Sequence, residues 1–206
     1  RQMISTNPSR VAKPAPPGVM VIFGAGGDLA KRKLIPALYH LTAENLLSKR
    51  FAIIALARHE HNDTSYREYL NTESRRFLGA DLSEELWQDL LSRVHYLNGD
   101  FMEADTYQRI KAMLEALDET YQTEGNCLFY LSTPPQFFGD IATHLQAAGL
   151  AHEELPLIAE KIVLLPDCIS PSSAAFISYS GWVANHIVNT APSRIISHDS
   201  REINHL

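Results

Sequence analysis

A strand-to-helix turn near the start of the chain limits its fold more than any other feature. Val19-Met20-Val21-Ile22-Phe23 is an unbroken apolar run, and Gly24-Ala25-Gly26-Gly27-Asp28-Leu29-Ala30-Lys31 follows directly. A short run with no polar alternation suits a central parallel strand covered on both faces. A glycine-rich segment that leaves such a strand and opens a helix is the setting of a dinucleotide fingerprint. The strict G-x-G-x-x-G form fails because Leu29 stands at the third glycine, but G-x-x-G-x-x-A fits through Gly24, Gly27 and Ala30. Gly24 can take a tight turn that a side chain would forbid. Gly27 lets the backbone approach a pyrophosphate, whose charge meets free N–H groups and the positive helix end. Ala30 is small enough for the helix to lie close on the sheet.

The rest of the chain repeats the alternation. Leu34, Leu38 and Leu41 share one face of a helix after the turn. Phe51 to Ala57 is a second buried strand, and two amphipathic helices follow, one over 63–77 and one capped at its start by Ser83. Val94 to Leu97 is a third, weaker strand. It leads through Asn98-Gly99-Asp100 to a helix with Tyr107, Ile110, Leu114, Leu117 and Tyr121 on one side. Cys127 to Leu131 is the fourth strand, and a helix through Ile141, Leu145 and Ala148 stops near Gly149. This pattern predicts an α/β, Rossmann-like, doubly wound parallel sheet with helices on both faces, and ligands at the carboxyl ends of its strands.

Three segments are expected. Residues 1–18 are polar and interrupted by four prolines, which reads as a flexible N-terminal arm; 19–154 form the nucleotide-binding domain; 155–206 are a divergent, serine-rich tail whose fold the sequence does not specify. The apolar fraction of 45% is enough for a core, and the net charge of −6 without a basic run disfavours nucleic acid as the main partner. No run approaches the ~18 apolar residues of a membrane helix, and two cysteines are too few for a disulfide scaffold. Cys127 reads as a buried thiol, and a cytoplasmic location is the expectation.

Two further positions bear on the ligand. After the second strand, where an NAD-binding fold carries a carboxylate for the ribose hydroxyls, this chain has Ala57-Arg58-His59. A guanidinium there can grip a 2′-phosphate with two parallel charged bonds, which favours NADP. The fourth strand ends in Ser132-Thr133-Pro134-Pro135, where two missing N–H groups terminate pairing and one peptide bond could be cis.

Together these residues resemble the glucose-6-phosphate dehydrogenase family. The run from Gly24 to Leu38 is similar to its G-x-x-G-D-L-A-x-x-K-L-x-P-A-L signature, and Arg58, Gly99-Asp100-Phe101 and Tyr130 to Pro135 follow in order over about 20–154. The resemblance implies NADP as cofactor, held by Gly24, Ala25, Gly26, Gly27, Asp28, Leu29, Ala30 and Lys31 at the pyrophosphate. Arg58 would hold the 2′-phosphate, and Asp100, Tyr130, Thr133, Pro134 and Pro135 would lie along the cofactor. It implies glucose 6-phosphate as substrate, the pentose phosphate pathway as setting, and homo-oligomers in the family.

Beyond 154 the pattern breaks. Glu160-Lys161 falls near the family's Glu-Lys-Pro-Phe-Gly, making Lys161 a candidate sugar contact, but Ile162 replaces the proline. Arg194-Ile195-Ile196-Ser197-His198 lacks the family's adjacent Asp-His, so no catalytic base is assigned. The expectation is an NADP-binding domain, truncated or altered by a frame change near Leu155 and inactive alone. The alternative is a non-catalytic NADP-binding sensor or partner-binding module. A different Rossmann oxidoreductase is disfavoured by the lack of a Tyr-x-x-x-Lys pair after the fourth strand.

Overall fold

The apolar runs form the middle of a sheet because neither of their faces carries a polar group that needs water. In the computed structural model, which describes residues 14–150 and two short strands beyond them, β1 (Gly18–Phe23), β2 (Phe51–Ala57) and β4 (Cys127–Leu131) are buried along their whole length. β3 (Val94–Asn98) is buried at Val94, Tyr96 and Leu97, half-buried at His95 and exposed at Asn98. The strand order is β3-β2-β1-β4, all parallel, with Val21 opposite Ile54 on one side and Phe129 on the other.

The order reverses at β1. The chain steps outward through β2 and β3, then returns to place β4 on the other side of β1. A doubly wound sheet opens a crevice at such a switch point. Helices α1 (Ile35–Ala43), α2 (Asp63–Glu73) and α3 (Glu84–Ser92) pack together, with α1 and α2 both against α3. Helix α4 (Ala104–Tyr121) lies on β1 and β2 and contacts α5 (Phe138–Ala147). The expected helices are therefore present. Leu34, Leu38 and Leu41 are buried, Ser83 accepts a cap bond from the Leu86 N–H at 3.4 Å, and Gly149 ends α5 with φ +70°.

Several details depart from the sequence expectation. The sheet is not wholly parallel: β5 (Leu157–Ile158) and β6 (Ile162–Val163) pair antiparallel to each other, and β6 pairs antiparallel to β4. Only three residues separate them, far too few for a parallel crossover, so their pairing is antiparallel. The sheet thus runs past the boundary expected at Glu154. At the other end, Ala15 is 3% exposed and its N–H donates to Leu46 O at 2.8 Å, so the docked chain begins before Val19. The remainder of the expected arm lies outside the described residues.

No cis peptide bond occurs among the described residues, and the Pro134-Pro135 pair is trans. The chain turns there through a single 3-10 turn, Pro135–Phe137, with the Phe137 N–H donating to Pro134 O at 3.1 Å. Proline is at home at the start of such a turn, where its missing N–H is not needed. The helix after the glycine turn opens with a wide π segment, Ala30–Leu34, closed by the Ile35 N–H on Ala30 O. Pro36 follows at once, and widening the turn relieves the clash a proline makes with the carbonyl four residues back. Cys127 is buried as expected, but it is not a free thiol.

Candidate functional site

The cleft at the carboxyl ends of β1 to β4 is built around Gly24. Its φ is +80°, and a Cβ there would collide with the Ser132 carbonyl oxygen at the end of β4. Glycine is thus required both for the turn and for the close approach of the two strand ends. The N–H groups of Gly24 and Ala25 both donate to Leu56 O, at 3.1 and 3.0 Å, and that of Gly27 to Gly24 O at 3.0 Å. These bonds fold the turn back under β2. The helix that starts at Asp28 therefore presents its first-turn amides, with the positive end of its dipole, at the mouth of the cleft.

The cleft has a volume of about 400 Å³, within the range of small-molecule sites. Gly24, Gly26 and Gly27 form its floor, Arg58 and His59 one wall, Asp100 and Met102 another, and Thr133 and Pro134 the side toward β4. Arg58 has a side chain 74% exposed, and its only ion pair among the described residues is to Asp100 Oδ2 at 3.8 Å. Phe101 and Phe137 meet edge to face at 5.3 Å and close the apolar end. Ser132 Oγ and Thr133 Oγ1 are buried without a hydrogen-bond partner among the described residues. An unpaired buried hydroxyl costs about 1–3 kcal/mol, a cost that a polar ligand in the cleft would relieve.

Of the residues expected at the site, the structure thus brings Gly24, Gly26, Gly27, Arg58, Asp100, Thr133 and Pro134 to one cleft. The backbone of Pro135 opens the adjoining 3-10 turn. Others lie elsewhere. Ala25 and Ala30 are buried beneath the turn, and Leu29 packs on the core. Asp28 pairs with Arg32 at 2.8 Å. Lys31 is held at 3.4 Å by Glu73 of α2 and lies 5.8 Å from the Tyr69 ring, contacts that raise its ammonium above the ordinary lysine value, Tyr69 foremost. Tyr130 is buried within β4, where burial alone pushes its phenol up. Lys161 lies outside the described residues.

The structure also shows supports that the sequence does not announce. The Tyr66 hydroxyl donates to Ala25 O at 2.8 Å and pins the glycine turn to α2. Burial, aided by Tyr69 and Tyr96, pushes the Tyr66 phenol far up, so it remains a neutral donor. His59 fills the space that a side chain at residue 26 would take: a Cβ on Gly26 would stand 2.8 Å from His59 Nδ1. A smaller depression of about 200 Å³, lined by Lys111, Asp118 and Asn126, lies at the opposite ends of β1 and β4. Doubly wound sheets do not place ligands at that end.

Comparison with known proteins decides the family. The profile of the glucose-6-phosphate dehydrogenase NAD binding domain matches residues 21–164. The chain belongs to this family. It is 44% identical over 138 residues to glucose-6-phosphate 1-dehydrogenase of Chlamydia pneumoniae, covering 67% of this chain and 27% of that protein. It is 42% identical over 132 residues to the Streptococcus pneumoniae enzyme, covering 64% and 26%. A solved glucose-6-phosphate dehydrogenase in complex with glucose-6-phosphate superposes with a TM-score of 0.59 at 29% identity, over 66% of this chain and 28% of that one. The chain therefore spans about a quarter of the length of the curated relatives it matches. Membership in this oxidoreductase family implies a nicotinamide cofactor. Among the described residues, no helix is long and apolar enough to cross a membrane.

Proposed function

We propose that the chain is the NADP-binding part of a glucose-6-phosphate dehydrogenase. Joined to the remainder of such an enzyme, it would take part in oxidising glucose 6-phosphate to the 6-phosphogluconolactone. The observation that carries the choice of NADP is Arg58, a well-exposed cation just past the end of β2 on the wall of the glycine cleft. A bound NADP would supply the hydride acceptor.

In this reading the pyrophosphate lies against Gly26 and Gly27, where the first helical turn offers its amides. Arg58 leaves Asp100 for the 2′-phosphate, exchanging a long ion pair for a charge-assisted contact. Ser132 and Thr133 turn their unpaired hydroxyls to the cofactor, and Pro134 and Pro135 fix the chain that carries them. Asp28, Leu29, Ala30, Lys31 and Tyr130 shape the turn and strand from behind rather than touching the ligand. Lys161 is proposed as a sugar contact from the family pattern alone.

The sugar's C1 hydroxyl must lose a proton as its hydride leaves. A positioned general base is typically worth ~10²- to 10⁴-fold. The family match covers the NAD binding domain; of the cleft's possible bases, Asp100 is paired with Arg58 and accepts the Met102 N–H, and the His59 ring lies over Gly26. The chain alone is expected to bind NADP without reducing it when glucose 6-phosphate is added.

Calorimetric titration of NADP and NAD into the wild type and Arg58→Ala tests the proposal. The wild type should prefer NADP by roughly ten- to hundredfold, the equivalent of about 1.5–3 kcal/mol for a charged contact, and the variant should lose that preference. Equal affinities in both proteins would remove Arg58 from the site.

A further inference from the structure

The segment bearing Arg58 continues where the sheet ends. The β2–β3 ladder closes with Ala57 opposite Asn98, and the next residues of β2 have no strand beside them. Three successive carbonyls are nevertheless held from β3. Ala57 O accepts the Gly99 N–H at 3.0 Å and lies 3.2 Å from the Tyr96 hydroxyl oxygen. Arg58 O accepts Asn98 Nδ2 at 3.1 Å. His59 O accepts both Asn98 Nδ2 at 2.7 Å and the Tyr96 hydroxyl at 2.6 Å.

Both acceptors of the Asn98 amide are carbonyls, so it can only present its NH₂ to them, which fixes the orientation of the side chain. Neither Asn98 nor Tyr96 lines the cleft. Among the described residues the Arg58 guanidinium meets only Asp100, at 3.8 Å, too long a pair to aim it. Its reach is therefore set by its backbone, and that backbone is set by Asn98 and Tyr96. The same clamp seats the His59 ring over Gly26.

We propose that Asn98, supported by Tyr96, is a positioning residue for cofactor choice: its side chain holds the Arg58–His59 backbone so that Arg58 meets the 2′-phosphate that distinguishes NADP from NAD. The inference rests on the reading of Arg58 given above. It concerns a residue that never touches the cofactor and acts through another.

The test is a double-mutant cycle on the full chain with NADP and NAD as titrants and a thermal melt of each protein. Asn98→Ala should weaken NADP by about two- to tenfold, the worth of one net hydrogen bond, and leave NAD within about twofold. In the Arg58→Ala background the same change should have no further effect on NADP, because the group it positions is gone. Tyr96→Phe, which removes one hydroxyl, should act in the same direction and serves if Asn98→Ala melts too low for titration. Equal weakening of both cofactors, an unchanged NADP affinity, or a loss that persists without Arg58 would each overturn the proposal. An Arg58→Ala variant that keeps the NADP preference would instead overturn the cofactor reading itself, and this inference with it.

Discussion

Replacing Gly24 by alanine should damage the fold, whereas replacing Gly27 by valine should damage only the site. Gly24 sits at φ +80°, where a side chain costs about 1–2 kcal/mol. Its Cβ would also overlap the Ser132 carbonyl and stand 3.3 Å from Thr133 Cγ2. Relief requires the end of β4 to move away from β1, which strains the Ser132 N–H bond to Phe23 O at 2.9 Å, worth about 0.5–1.5 kcal/mol. The sum is about 1.5–3.5 kcal/mol, before any overlap that the strands cannot relieve. A Cβ at Gly27 meets only Gly24 O, at 3.2 Å, and its φ is ordinary. Gly27→Val should therefore stay within about 1 kcal/mol of the wild type, as surface changes usually do, yet lose the cofactor because its methyl groups fill the pyrophosphate position. Urea titrations with an unchanged slope give the stabilities, and calorimetry gives binding. A Gly24→Ala protein as stable as the wild type would refute the strain argument. A folded Gly27→Val protein that binds normally would show that the phosphates lie elsewhere.

Two other changes test the scaffold. Asp118 Oδ1 accepts the Thr123 hydroxyl at 2.6 Å and the Gly125 N–H at 2.9 Å; these bonds, Thr123 first, hold its carboxyl below the usual range. Asp118→Ala leaves the buried Thr123 hydroxyl unpaired and should cost about 1–3 kcal/mol by urea denaturation; wild-type stability would mean the loop is held otherwise. Burial holds the His95 imidazole below its ordinary value against the pull of Asp63, with Arg67 adding to the depression. The unfolded chain then takes up a proton that the folded one resists, so stability should fall as pH drops below about 6.5 toward the lower folded value. Urea midpoints at about pH 7.5 and about pH 5.5 should converge in His95→Asn, and an unchanged pH dependence would exclude this residue.

The fold was legible because its strands are apolar on both faces and its helices carry one clean stripe each. Cys127–Leu131 could be bounded from the sequence because proline and charge lie outside it. The glycine turn was legible for a similar reason: Gly24 is dictated by local backbone geometry, and its neighbours repeat a family pattern. What was missed depends on residues distant in sequence. Tyr66 lies 41 residues from Ala25, and Asn98 lies 40 from Arg58, so their bonds have no local signature. The family pattern points Lys31 and Tyr130 to the cofactor; without a ligand, Lys31 pairs with Glu73 of α2 and Tyr130 is buried in β4, neighbours the pattern does not reveal. The π segment before Pro36 and the antiparallel β5–β6 pair arise from steric constraints that hydrophobic periodicity does not register.

A crystal structure of the chain grown with NADP would show whether the cleft at the ends of β1, β2 and β4 holds the cofactor through the glycine turn and Arg58. The pyrophosphate should lie against Gly26 and Gly27, and the 2′-phosphate within hydrogen-bond distance of the Arg58 guanidinium, with Asp100 released. Density for the cofactor in the depression beside Lys111 and Asn126, or a 2′-phosphate pointing away from Arg58, would contradict it.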